Sequence, residues 1–175
     1  MKRQGWALRG VSKVESVAEH SYRMAMMALT LHEASDATNL DRMIKMCLVH
    51  DLAEVLVGDI TPFDGIEKEK KKLLEKRAML ALVQDLPESK QAELLALFEE
   101  YESQESDEAR FVKDLDRLEM CLTALEYEEA EQIDLEEFFA AVKDKFRFDS
   151  VRVSYEQCYQ QHLKLQSLLC TSSRP

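Results

Sequence analysis

The sequence predicts an all-α protein with a single domain. Between Gly65 and Pro175 the chain contains no glycine and only one further proline, so long stretches lack the residues that usually mark turns. Apolar residues in these stretches recur with a period near 3.6, which is the spacing of an amphipathic helix. No segment shows the apolar/polar alternation that is typical of a strand. The chain of 175 residues is long enough to bury one hydrophobic core.

The helices can be assigned in order from their start and stop signals. The first begins after Ser16, because Ser16 and Glu19 form the pattern of a capping box. A second helix is predicted over 41–57, with Gly58 as its C-terminal stop and a loop over 58–65. Further helices are predicted over 67–85, 88–103, 106–129, 134–146 and 149–169.

Composition limits the classes of function. The net charge of −11 and the lack of a basic stripe argue against a nucleic-acid polymer or an anionic membrane as a partner. The charged run at 67–72 is interpreted as a solvated helix face, with phosphate binding as the alternative. No apolar stretch is long enough to cross a bilayer, and no signal peptide is evident. A cytoplasmic, or cytoplasmic and nuclear, protein with reduced thiols is expected from the widely spaced Cys47, Cys121, Cys158 and Cys170.

An acidic residue within an apolar helical pattern is the strongest sign of a functional site. Asp51 shares the predicted apolar stripe with Ile44, Cys47, Leu48 and Val55. A carboxylate buried on that stripe requires a cation or hydrogen-bond donors. His50 directly precedes Asp51, and Glu54 follows one turn later, so the three side chains can converge on one site. This arrangement predicts a metal centre.

Two other helices carry residues that could complete the centre. His20 lies on the apolar face of the first helix, where a core histidine bonded to a backbone carbonyl is the simpler interpretation. Asp116 lies between two apolar faces of a later helix and also requires a cation or donors. Asp114 and Glu119 compete with Asp116, each with a surface salt bridge as the alternative. Periodicity alone does not choose among these three acids.

Two imidazoles and two carboxylates suit Mn, Fe, Co, Ni or Zn, with Glu54 nearby as a general acid or base. In order and spacing, the candidates resemble the H…HD…D signature of the HD-domain metal-dependent phosphohydrolases, and specifically their 5'-deoxynucleotidase branch. The resemblance covers residues 5–130 and favours Asp116 over Asp114. It is carried by Gly5-Trp6, Arg9, Glu15-Ser16-Val17, His20, His50-Asp51-Leu52-Ala53-Glu54, Gly58-Asp59 and Val112-Lys113-Asp114-Leu115-Asp116.

The resemblance implies one HD-domain helical bundle over 1–175, with the additional N-terminal helix of the family absent or truncated. It implies a homodimer that hydrolyses deoxyribonucleoside 5'-monophosphates to the nucleoside and phosphate, using a divalent cation that can also be Mg. Residue by residue, it implies metal ligation by His20, His50, Asp51 and Asp116, catalysis by Glu54 and Asp59, and substrate binding by Trp6 and Arg9.

Several alternatives accompany these roles. Glu54 would either activate the attacking water or protonate the leaving oxygen, and Arg9 would contact the phosphate. More simply, Trp6 could cover the core, Arg9 could be a surface charge, and Asp59 could cap the turn over 58–65. The alternative functions are an HD-type phosphodiesterase or nucleoside triphosphate hydrolase, and a non-catalytic helical module that binds metal or nucleotide. Two remaining histidines, His32 and His162, are predicted to be solvated.

Overall fold

The structure is a computed structural model that describes residues 1–33, 37–61 and 64–172, with side chains up to residue 169. Within these ranges the secondary structure is helical apart from one isolated bridge between Lys2 and Ser16, which confirms the all-α prediction. Two residues of the predicted loop, 62 and 63, lie outside the described residues. The helices are α1 (Gln4–Ala7), α2 (Val17–Leu31), α3 (Leu40–Val49), α4 (Glu54–Val57), α5 (Lys68–Val83), α6 (Glu88–Ser103), α7 (Asp107–Glu131), α8 (Glu136–Val142) and α9 (Asp149–Ser172).

Helix α7 is the centre of the bundle, and it packs against α2, α3, α6, α8 and α9. It begins at Ser106, whose Oγ accepts a hydrogen bond from the Ala109 amide at 3.1 Å. The capping box predicted for α2 is confirmed, since Ser16 accepts from the Glu19 amide at 3.2 Å and the Glu19 carboxylate accepts from the Ser16 amide at 2.6 Å. These caps satisfy backbone groups that a helix leaves unpaired at its N-terminus.

The helix predicted over 41–57 is interrupted, and that prediction is wrong at 50–53. Helix α3 ends at Val49, and turns with amide-to-carbonyl bonds three residues apart lead into α4. His50 Nδ1 donates to the carbonyl oxygen of Cys47 at 2.8 Å, which is the oxygen that the Asp51 amide would use in a continuous helix. Gly58, at φ 83°, follows α4 and confirms the predicted stop.

The break also changes the environment that was predicted for Asp51. The apolar stripe does not continue through it, because Leu48 and Val55 are 50% and 60% exposed. Asp51 itself is only partly buried, with a side chain that is 24% exposed. The charged helix face at 67–72 is exposed as predicted except for Lys71, which is half-buried.

His162 was predicted to be solvated, and this prediction is wrong. Its side chain is buried, with Nδ1 2.6 Å from Glu128 Oε2 and Nε2 in contact with Glu136. The ring stacks on Phe139 at a centroid distance of 4.3 Å. The polar neighbours of His162 along the chain lie on other faces of α9, so local composition gave a misleading signal. His32 is half-buried, with Nε2 3.2 Å from the Thr38 carbonyl oxygen.

Three cysteines, Cys47, Cys121 and Cys158, are buried free thiols, in agreement with the predicted reduced state. Among the residues described, none of the helices combines the length and apolar character that a bilayer crossing requires. The remaining helix bounds agree with the sequence prediction to within a few residues, apart from the shorter α8 and the unpredicted α1.

Candidate metal centre

Three elements of the fold bring the four predicted ligands together. His20 comes from α2, His50 and Asp51 from the turn after α3, and Asp116 from α7. His20 Nε2 lies 3.3 Å from Asp116 Oδ1 and 3.9 Å from Asp51 Oδ2, and His50 Nε2 lies 3.2 Å from Asp51 Oδ2. One ligand atom each of His20, His50 and Asp116 lies within 4.8 Å of the other two. The four side chains are therefore within reach of one ion.

The two imidazoles are oriented as metal ligands require. His50 Nδ1 is bonded to a carbonyl oxygen, which can only accept, so Nδ1 carries the proton. His20 Nδ1 lies 2.5 Å from Glu119 Oε2, where it donates to the carboxylate. Each ring can then present an Nε2 lone pair, and both Nε2 atoms are buried without a hydrogen-bond partner among the described residues. Buried orphan nitrogens beside two carboxylates fit a divalent cation.

The electrostatics of the centre favour positive charge between these side chains. Burial raises the pKa of Asp51, but the neighbouring His50 imidazole outweighs burial and lowers this pKa to about 2. Burial likewise opposes ionisation of Asp116, yet Lys113 and His20 hold its pKa well below the usual range. For His20, burial lowers the pKa, and the nearby carboxylates of Asp116 and Glu119 raise it to about 9. Both acids are thus ionised in the neutral pH range.

Glu119 orients His20, and the sequence alone did not identify this contact. Its predicted alternative, a surface salt bridge, is wrong because the side chain is fully buried. Besides His20, its carboxylate accepts from Thr123 Oγ1 at 2.7 Å and lies 3.2 Å from Arg23 Nε and 3.3 Å from Arg3 Nη1. A carboxylate behind a ligating histidine fixes the ring and raises its basicity. The sequence feature that could have indicated this contact is the position of Glu119 one turn after Asp116 on α7.

Asp114, the other competitor, has a separate structural function. It is fully buried, so a surface salt bridge is wrong here too. Its Oδ2 accepts from the amides of Arg147 and Phe148 at 2.6 and 3.1 Å, and Oδ1 accepts from Arg117 at 2.8 Å. Asp114 therefore holds the segment that leads into α9 and does not enter the centre.

Asp116 is held at its second oxygen by two residues to which the sequence analysis assigned no role. The Tyr101 hydroxyl donates to Asp116 Oδ2 at 2.9 Å, and Lys113 Nζ donates to the same atom at 2.7 Å. The Tyr101 ring also lies edge-on to His50 at 4.9 Å. Oδ1 of Asp116 is left to face His20. These contacts orient the carboxylate towards the centre.

A cavity of about 420 Å³ opens over Asp51 and Asp116. Its lining includes the four auxiliary residues of the sequence prediction, Trp6, Arg9, Glu54 and Asp59. Glu54 is buried at 6% exposure. Burial, followed by the negative charges of Asp51 and Asp59, raises the pKa of Glu54 to about 9. A carboxyl group that keeps its proton at neutral pH, beside a candidate metal centre, is suited to act as a general acid.

The simpler alternatives are partly borne out for Trp6 and Arg9, whereas the contact of Asp59 differs from its simpler alternative. Trp6 is buried in the core, and its Nε1 donates to Glu15 Oε1 at 2.9 Å. The Arg9 guanidinium is paired with the carboxylate of Glu137, with Nη2 2.9 Å from Oε2. Among the described residues, Asp59 bonds outside its own turn, since its Oδ2 accepts from the Gln4 amide at 2.7 Å at the start of α1. All three nevertheless line the cavity.

Comparisons with known proteins agree with the geometry of the site. A protein-family model described as HD domain matches residues 1–152. The mouse 5'-deoxynucleotidase HDDC2 is 49% identical over 146 residues, which cover 82% of this chain and 72% of that protein. The human 5'-deoxynucleotidase HDDC2 is 46% identical over 151 residues, which cover 85% of this chain and 73% of that protein.

Solved structures show the same relationship. A conserved hypothetical protein from Pyrococcus furiosus aligns with a TM-score of 0.75 and 32% identity over 91% of both chains. A predicted metal-dependent phosphohydrolase from Magnetospirillum magnetotacticum aligns with a TM-score of 0.69 and 28% identity, covering 89% of this chain and 81% of that one. The chain belongs to the HD domain family and, within it, to the 5'-deoxynucleotidase branch.

Proposed function

We propose that this protein hydrolyses deoxyribonucleoside 5'-monophosphates to the deoxynucleoside and inorganic phosphate, with a divalent cation held by His20, His50, Asp51 and Asp116. The observation that carries the proposal is the pair of buried imidazole Nε2 atoms that have no hydrogen-bond partner among the described residues and lie beside the two ionised carboxylates that line the cavity. The name of the relatives, 5'-deoxynucleotidase, supplies the substrate class.

The residues around the centre suggest how the reaction proceeds. When bound, a divalent cation lowers the pKa of water and polarises a phosphoryl oxygen. Glu54 holds a proton at neutral pH, so it can donate that proton to the 5'-oxygen of the sugar as the bond between this oxygen and phosphorus breaks. Of the two roles predicted for Glu54, the raised pKa therefore favours protonation of the leaving oxygen.

The wall of the cavity suggests where the nucleoside lies. Trp6 is held in place by Glu15 and by Phe138, whose ring centroid is 4.4 Å away. Because Trp6 is otherwise buried, only the part of its indole that lines the cavity is available to a sugar or base, and its fixed position makes this contact cost little entropy. We propose that Trp6 and Asp59 contact the nucleoside. The phosphate contact of Arg9 stays a prediction, because its pairing with Glu137 would have to change.

Four further features stay predictions. The two imidazole ligands favour Mn, Fe, Co, Ni or Zn over Mg, which prefers oxygen ligands and retains several waters. A homodimer and a cytoplasmic location follow from the resemblance and the composition described above. A single HD domain over 1–175 is consistent with a family match that ends at residue 152.

The proposal is tested by metal analysis and substrate comparison on the same preparation. Protein purified without chelator should contain one equivalent of a divalent metal and release phosphate from dAMP faster than from AMP. His50→Ala should abolish both properties, whereas His32→Ala, a matched control outside the cavity, should retain them. Preferential hydrolysis of cyclic nucleotides or of deoxynucleoside triphosphates would instead support the alternative enzyme classes. Metal binding without phosphate release from any nucleotide would support the non-catalytic module.

A further inference from the structure

Four cationic side chains line the cavity in the part of the chain that the structure describes, and they differ in what holds them. Three are paired with acids outside the candidate ligand set: Arg3 with Glu15 and Glu119, Arg9 with Glu137, and Lys71 with Glu75. The fourth, Lys113, is bound to a carboxylate of the ligand set itself. Its environment therefore changes most when a cation occupies the centre.

Lys113 has a donor available for a ligand in the cavity. Its Nζ lies 2.7 Å from Asp116 Oδ2 and 3.0 Å from the Tyr101 hydroxyl oxygen. An ammonium group has three N–H donors, and the described residues provide acceptors for two of them. The side chain is half-buried at 36% exposure, and it lines the cavity beside Asp116. A phosphoryl group bound near the ligands would lie next to this ammonium.

The charges of the centre favour an anion at this position. Asp51 and Asp116 together carry a charge of −2, which a divalent cation cancels. The positive charge of Lys113 is then no longer matched by Asp116, and a phosphate monoester dianion supplies the missing negative charge. Lysine serves as a point-charge ligand for phosphate in many sites, because its compact ammonium needs no fixed bidentate geometry.

We infer that Lys113 Nζ contacts a non-bridging oxygen of the phosphoryl group of the substrate and is a further catalytic residue of this site. The inference rests on the proposed function, since it assumes that a phosphate monoester is the ligand. The competing explanation is structural: Lys113 would act only by holding Asp116 in place. Tyr101 provides the control for that explanation, because it donates to the same oxygen of Asp116 without carrying a charge.

The experiment measures binding of inorganic phosphate to the metal-loaded protein by calorimetry at constant ionic strength. Lys113→Met removes the charge and keeps the length of the side chain, whereas Tyr101→Phe removes the other donor to Asp116 Oδ2. Metal is kept at saturation in both variants and verified by elemental analysis. We expect Lys113→Met to raise the Kd for phosphate roughly 10- to 100-fold, the equivalent of the ~1.5–3 kcal/mol of a charged hydrogen bond. Tyr101→Phe should leave this Kd within about threefold of the wild-type value.

Lys113→Arg should keep most of the phosphate affinity, because the charge is retained. Should Lys113→Met fail to fold by circular dichroism, Lys113→Gln is measured in its place. Equal increases in the phosphate Kd for Lys113→Met and Tyr101→Phe would overturn the inference, since the effect would then act through Asp116. An unchanged phosphate Kd in Lys113→Met, with only metal affinity reduced, would also overturn it.

Failure of the inference and failure of the proposed function give different results. If the wild-type protein binds phosphate in a Lys113-dependent manner but releases none from dAMP, the proposed function fails and the phosphate contact stands. If dAMP is hydrolysed and Lys113→Met binds phosphate normally, the function stands and the phosphate contact fails.

Discussion

Glu54→Gln should abolish most hydrolysis of dAMP and spare a substrate whose leaving group needs no proton. The variant replaces the acidic carboxyl group by a non-acidic amide of the same size, so the cavity and the candidate ligands are left intact. The sugar 5'-oxygen is a poor leaving group that requires protonation as its bond to phosphorus breaks. The 4-nitrophenolate ion leaves without being protonated, so hydrolysis of 4-nitrophenyl phosphate does not require Glu54 as a general acid.

The size of the effect follows from the pKa of Glu54. With an ordinary pKa of 4.5, roughly 1 in 300 carboxyl groups would be protonated at pH 7, whereas the pKa of about 9 in the metal-free protein keeps about 99% of Glu54 protonated, and burial, the largest cause of this raised pKa, persists when metal binds. General acid catalysis typically contributes ~10²–10⁴-fold to a rate. We therefore expect kcat on dAMP to fall by about 10²–10³-fold and kcat on 4-nitrophenyl phosphate to fall by less than about tenfold.

The pH dependence provides a second measurement on the wild-type protein. Because Glu54 donates from its protonated form, kcat on dAMP should fall as the pH rises through the raised pKa of Glu54, which a cation bound beside Asp51 lowers from the metal-free value of about 9. The same decline should be weaker with 4-nitrophenyl phosphate. Steady-state kinetics from pH 6 to 10, at saturating metal, would measure both profiles.

Glu75→Gln is the matched control, because Glu75 is also buried and burial also raises its pKa, but it does not line the cavity. Its kinetics should be close to those of the wild type on both substrates. Equal losses on dAMP and 4-nitrophenyl phosphate in Glu54→Gln would refute the acid role, as expected for a residue that activates water. A loss that parallels a fall in metal content would refute it as well.

Three further predictions concern the groups around the centre and the bundle. Glu119→Gln should weaken metal affinity about 10- to 100-fold, measured by chelator competition, because the amide no longer fixes the protonated Nδ1 of His20. Saturating metal at ~100 times its Kd should raise the free energy of unfolding by about 2.7 kcal/mol, and His50→Ala should lose this increment in thermal melts. His162→Leu should lower the free energy of unfolding by about 3 kcal/mol in urea without changing metal content, because it removes a partner of the buried Glu128 carboxylate.

The parts of the fold that the sequence predicted well depend on local interactions. The start of α2 requires only Ser16 and Glu19, which bond to each other's backbone within four residues. The end of α4 requires Gly58, which adopts a positive φ at little steric cost. The break after α3 also arises locally, but it depends on whether the Cys47 carbonyl bonds to a backbone amide or to the His50 ring. The helical periodicity of the apolar residues does not distinguish between these two hydrogen bonds.

The sequence identified the candidate ligands of the centre, but not the residues that hold these ligands in place. His20 stands out because a buried polar group in an apolar helical pattern requires a partner. The His50-Asp51 pair was identified from a predicted apolar stripe that the break after α3 interrupts. The sequence gives no sign that Tyr101 belongs to the centre, because a tyrosine in a helix is common. Its hydroxyl reaches Asp116 only because α6 packs against α7. Residues that hold a ligand in place in this way are brought to it by contacts between helices that are distant in the chain.

The three acids of α7 show why periodicity could not choose among them. An amphipathic helix separates buried from exposed positions, but α7 is surrounded by five other helices, so acids on several of its faces are buried. Each acid then finds its own compensation: backbone amides for Asp114, the ligand cluster and Lys113 for Asp116, and the His20 ring for Glu119. Asp114 and Glu119 are fully buried and the Asp116 side chain is 18% exposed, so the three acids are distinguished mainly by their partners. The function of an acid on a central helix is thus decided by the elements packed around it, which for Asp116 are α2, α6 and the turn after α3.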